Sequence, residues 1–154
     1  MRFRLLLVAL AAMLIVAGPA GAKIVVQRGI GGANLHMTKA QVRARLGAPT
    51  RVHNGRNTFG HFSNFVYPRL TVMFQSGPKV TGVRTSSRLE RTSSGVGVGS
   101  SVARVKAGVR QAKCRTQFGT RQCVVGKFLP GRVITAFVIR KGHVSSVIVG
   151  IVLD

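Results

Sequence analysis

Apolar and polar positions alternate at two different periods along the chain, and the change of period marks the elements. Around residues 38–49 the spacing is helical, with Val42 and Leu46 at i and i+4 forming one narrow stripe while Lys39, Arg43 and Arg45 point away from it. Thr38 predicts an N-cap and Gln41 completes a capping box. Met37 and Val42 form a hydrophobic staple, and Gly47 and Pro49 supply the stop. So short a helix is not stable alone in water, so its stripe requires a covering surface. Runs rich in β-branched and aromatic residues follow at 51–53, 58–67, 69–75 and 80–85, with Ser76-Gly77-Pro78 as a hairpin signal. The polar, glycine-rich stretch 86–99 predicts a connector.

Beyond the connector the pattern restarts. Ser101 predicts a second N-cap, with Val102, Val105 and Val109 on one face. At an offset of 63 positions Val42 falls on Val105, Leu46 on Val109, Phe65 on Phe128 and Phe74 on Phe137. Two long strands are expected at 132–140 and 143–153, around Lys141-Gly142. The expected fold is therefore α+β, built of two tandem repeats at 23–85 and 100–154. Each is expected to be a short helical element packed on its own antiparallel three- to four-stranded sheet. Ile24 to Val26 reads as a short strand, and Gly29-Ile30-Gly31-Gly32 as a turn without the spacing of a phosphate loop.

Composition adds a location and a partner class. Arg2 and Arg4, an apolar run at 5–17 and Ala20-Gly21-Ala22 predict a signal peptide at 1–22, and the apolar run is shorter than the roughly 20 residues of a spanning helix. The chain is then expected to be secreted or held at the cell envelope, with no transmembrane span after processing. There are 24 Lys and Arg against two acids, Glu90 and Asp154. Without the leader the net charge is about +20, a positive field that attracts polyanions. At 45% hydrophobic residues the charge sits on a folded body. Cys114 and Cys123, the only cysteines, predict a disulfide that staples the exit of the second helix to the sheet.

Catalytic groups are sparse. Glu90 and Asp154 read as solvated charges rather than a catalytic pair, and His36, His53, His61 and His143 lack ligand spacing. The reading is of a non-enzymatic chain with no catalytic residues, metal, cofactor or small-molecule substrate. The candidate binding surface is Arg104, Lys106, Arg110, Lys113, Arg115, Arg121 and Lys127 around the second helix and disulfide loop, joined by Arg132, Arg140 and Lys141 on the last hairpin. Phe59, Phe62, Phe65 and Tyr67 are candidate stacking partners for arginines. The expected partner is a protein or an anionic envelope polymer; the alternative is a cationic cell-wall- or nucleic-acid-associated protein that binds by charge alone, non-specifically where the partner is nucleic acid.

The string Leu35 to Val42 followed by Leu46-Gly47-Ala48-Pro49 resembles the motif Leu-Gly-Met-Thr, three variable residues, Val, then Leu-Gly-x-Pro of the BamE (SmpA/OmlA) family. The tandem arrangement with a cysteine pair is similar to the secreted β-lactamase-inhibitor-protein-like form. The resemblance implies helical elements on antiparallel sheets and a binding role. It carries over to Met37, Thr38, Val42, Leu46, Gly47 and Pro49 as fold-determining residues.

Overall fold

The computed structural model describes residues 23–117 and 119–154; the leader expected at 1–22 lies outside them. Three two-residue strands open the chain, β1 (Ile24–Val25), β2 (Gly29–Ile30) and β3 (Ala33–Asn34), joined in a small antiparallel sheet. Gly31 and Gly32 make the tight turn between β2 and β3 at φ 61° and 90°, a conformation that glycine adopts without steric cost. Helix α1 (Lys39–Leu46) follows, then the strands β4 (Arg51–Asn57), β5 (Gly60–Val66), β6 (Thr71–Gln75) and β7 (Gly82–Thr85). Helix α2 (Val102–Gly108) precedes β8 (Lys113–Gln117), β9 (Thr120–Val125), β10 (Val133–Arg140) and β11 (His143–Ile151).

The α+β expectation is wrong. The fold is mostly β, with two helices of eight and seven residues, and the strands do not divide into two sheets. All eight strands from β4 to β11 form one antiparallel sheet in the order β4-β5-β6-β7-β11-β10-β9-β8. The join is β7 against β11, where Thr85, Arg84, Val83 and Gly82 face Val147, Ile148, Val149 and Gly150. Two separate sheets would each leave an unpaired strand edge here, and pairing satisfies both rows of backbone groups.

One face of this sheet is covered. Val125, Thr135, Val149, Val83, Val72 and Phe65 stand in successive register across six strands, and all are buried. Val42 of α1, Val105 of α2 and Ile30 of the small sheet complete the same core, all at 0% exposure. Both helices start as expected. The Thr38 hydroxyl accepts from the Gln41 N–H at 3.2 Å and the Gln41 side chain accepts from the Thr38 N–H at 2.8 Å, while Ser101 caps α2 through the Arg104 N–H.

Several local expectations need correction. Arg43 and Lys39 do not point away from the core, because their cationic groups lie 4.6 Å and 5.4 Å from the ring centres of Phe65 and Phe74. Those two rings are themselves 4.8 Å apart and buried, so Phe65 is a core residue and no part of an exposed aromatic surface. The cysteines do form a disulfide, but both sit in strands. Cys114 on β8 faces Cys123 on β9, so the bond closes the edge hairpin and does not tie the helix to the sheet. The connector at 86–99 is packed, with Val96, Val98 and Glu90 buried, and the Thr92 N–H bonds the Val96 carbonyl at 2.8 Å.

Candidate functional site

The sequence-derived basic surface is divided by the sheet. Alternation along β8 puts Cys114 on the covered face and Lys113 and Arg115 on the other, because successive side chains of a strand point to opposite sides. Arg140 of β10 shares that open face with Val138, two positions before it. Arg104 and Lys106 are exposed on α2, on the covered side of the sheet, and Arg110 is exposed just beyond the helix. Arg121 lies on the cysteine side of β9. Lys127 and Arg132 flank the connection between β9 and β10, and Lys141 is in the turn after β10. The ten residues therefore do not form one patch.

The open face gathers a set that the sequence reading missed. Arg115, Gln122, Val138 and Ser146 follow one another across β8, β9, β10 and β11. The neighbouring row runs Lys113, Val124, Ala136, Ile148 and Arg84. Phe128 and Val152 fold over Val124, Ile134 and Ala136, making a small second core on this side. Beside it lies an open cleft of about 530 Å³ with Arg84 and Arg140 in its walls and Gln122, Val138, Ser146 and Phe128 among its lining. Arg84 lies between buried Val83 and Thr85, and a lone arginine between two apolar-face positions of a strand was the signal available for it.

The polar groups of the cleft are unusually free. Gln122 is 7% exposed and Ser146 3%, yet neither side chain has a hydrogen-bond partner among the described residues. Gln117 Oε1, in the same wall, is also buried without a partner. Ser145 differs, its hydroxyl donating to the Val138 carbonyl at 3.2 Å. The ion pair found among the described residues is Arg69 Nε to Glu90 Oε1, at 3.7 Å, and it lies away from this cleft. The guanidinium groups of Arg84 and Arg140 have no carboxylate opposite them among the described residues.

Glu90 is not the solvated charge the sequence suggested. It is 1% exposed, and Glu90 Oε2 has no hydrogen-bond partner among the described residues. Burial pushes its pKa above the ordinary glutamate value, while the Arg69 charge pulls the other way. No group of three His, Cys, Asp or Glu side chains that could hold a metal occurs among the described residues. No helix among them is long and apolar enough to cross a membrane.

No family model and no curated protein matches the chain. Two solved structures are similar in fold. A DUF4309 family protein (YjgB) from Bacillus subtilis aligns at TM-score 0.53 and 17% identity, over 85% of this chain and 88% of that one. An extracellular protein containing a SCP domain from Bacillus anthracis aligns at TM-score 0.55 and 9% identity, over 75% of this chain and 43% of that one. At these identities the likeness concerns the fold alone.

Proposed function

We propose that this is an exported, non-enzymatic binding module that holds an anionic polymer of the cell envelope on the open face of its sheet. The observation that carries the proposal is the pairing of Arg84 and Arg140, without counter-charges, with unpartnered polar groups in one cleft. A strongly positive field draws polyanions to the surface, and placed donors then select among them. The disulfide and the extracellular character of one structural neighbour support an extracytoplasmic setting.

A second reading has one observation in its favour. Arg104 and Lys106 are exposed on α2, on the covered side of the sheet and away from its open face, as they would be if charge alone did the binding. Salt separates the two. Charge-only binding falls steeply and uniformly with ionic strength through counterion release, whereas a shaped cleft keeps a preference among polymers of equal charge at 0.15 M salt. Retained discrimination in a salt titration supports the cleft, and loss of all binding at moderate salt supports charge alone.

A further inference from the structure

We infer that the cleft between Arg84 and Arg140 is a subsite for an acidic saccharide, a sugar unit carrying a carboxylate or phosphate. This rests on the binding-module reading and names its ligand. Arg84 on β7 and Arg140 on β10 are separated laterally by β11, two strand spacings or about 10 Å, and Arg84 is level with Ala136, four residues or about 13 Å short of Arg140 along β10, so their backbones stand about 16 Å apart, the scale of a short run of sugar rings. A guanidinium presents paired N–H donors that match the two oxygens of a carboxylate or phosphate. The floor between the arginines suits hydroxyl groups. The Gln122 amide both donates and accepts, the Ser146 hydroxyl does the same, and both are more than nine-tenths buried while unpartnered.

The Gln122 and Ser146 polar atoms open on the cleft, and Gln117 Oε1 beside them is buried without a partner, which is costly, so a ligand that supplies hydroxyls gains by satisfying it. A peptide is less well matched, because protein hot spots are anchored by apolar or aromatic side chains in apolar pockets and this floor is largely amide and hydroxyl. Single-stranded nucleic acid needs a succession of stacking platforms, and Phe128 is the one aromatic residue in the lining among the described residues.

The test is calorimetric titration of the mature chain at 0.15 M salt. The probes are polygalacturonate for the carboxylate source, a phosphomannan for the phosphate source, neutral dextran and single-stranded DNA. Binding of one acidic polymer above the other identifies the anion, and dextran is expected to give no heat. Arg84→Ala and Arg140→Ala, both at exposed positions, and Gln122→Leu should each weaken the acidic glycan tenfold or more. Arg104→Ala and Lys106→Ala, on the other side of the sheet, should change it less than twofold. Thermal melts check that each variant is folded, and the two arginine variants decide the matter if Gln122→Leu is not. If DNA competes as well as the glycans do while Arg84→Ala and Arg140→Ala still cost more than Arg104→Ala and Lys106→Ala, the saccharide subsite is refuted and the open-face module survives; if all four basic substitutions cost the same, both fail in favour of charge alone. If wild type binds no anionic probe even at 0.05 M salt, both fail.

Discussion

Replacing Glu90 with glutamine should remove a stabilisation that wild type gains in acid, the opposite of the ordinary effect of acid on a carboxylate. Glu90 is 1% exposed and its one charged partner, Arg69, is half in solvent at 51% exposure. At 3.7 Å the attraction is about 4 kcal/mol for an effective dielectric constant near 20, and removing a carboxylate from water costs several kcal/mol, so the two nearly cancel. Desolvation wins, because the net displacement of the Glu90 pKa is upward from 4.5. The folded state therefore binds this proton more tightly than the unfolded state does. The stabilisation is fully present below the unfolded pKa and is lost as pH rises through the folded one.

Wild type should gain stability on acidification from pH 7 to pH 4, by about 1.4 kcal/mol for each unit of displacement. Glu90→Gln should lack this term and lie within about 1 kcal/mol of wild type at neutral pH. Urea denaturation of both proteins from pH 4 to pH 8 reads the difference, and the four histidines, present in both, cancel in the comparison. A wild-type stability that falls between pH 7 and pH 4, with the fall abolished in Glu90→Gln, would show the ion pair outweighing burial and refute the reasoning.

Val42→Asp and Val105→Asp each place a charge at a site with 0% exposure and should cost about 4 kcal/mol in urea midpoint measurements; wild-type stability in either would contradict the shared core. Cys114→Ser with Cys123→Ser should cost about 2–3 kcal/mol and speed amide exchange in β8 and β9, and unchanged exchange would show the edge hairpin held without the bond. Gly97→Ala would bring a Cβ within 2.3 Å of the Glu90 carbonyl oxygen, so its thermal midpoint should drop by the equivalent of about 1–3 kcal/mol. An unchanged midpoint would mean that the connector yields freely.

Elements governed by nearby residues were legible in the sequence. Thr38 and Gln41 fixed the start of α1 through a box four residues wide, and Lys141 and Gly142, at φ 49° and 78°, turn β10 into β11. The joining of two four-stranded halves was not legible. Pairing of Gly82 with Gly150 and Val83 with Val149 depends on partners more than 60 residues apart, and strand periodicity gives a face but not a neighbour. The two-residue strands β1, β2 and β3 are too short to show any period. Lys39 and Arg43 were misread because a long basic side chain can lay its charge over an aromatic ring while its stem follows the core.

The candidate site was only half visible for the same reason. Arg140 was singled out from the density of basic residues, but Arg84 joins it through the β7–β11 pairing, and Gln122 and Ser146 became notable once they were buried without partners. A charge-rich sequence marks too many cations for density to select among them. Burial and register make the selection.

Amide and side-chain NMR shifts during titration with an acidic glycan test the central claim most directly. The largest changes should fall on the arginine side-chain resonances of Arg84 and Arg140, the Gln122 amide and the backbone around Ser146 and Val138. Arg104, Lys106 and Lys127 should shift little and without saturation. Shifts spread evenly over every exposed lysine and arginine, with no saturating group on the open face, would contradict it.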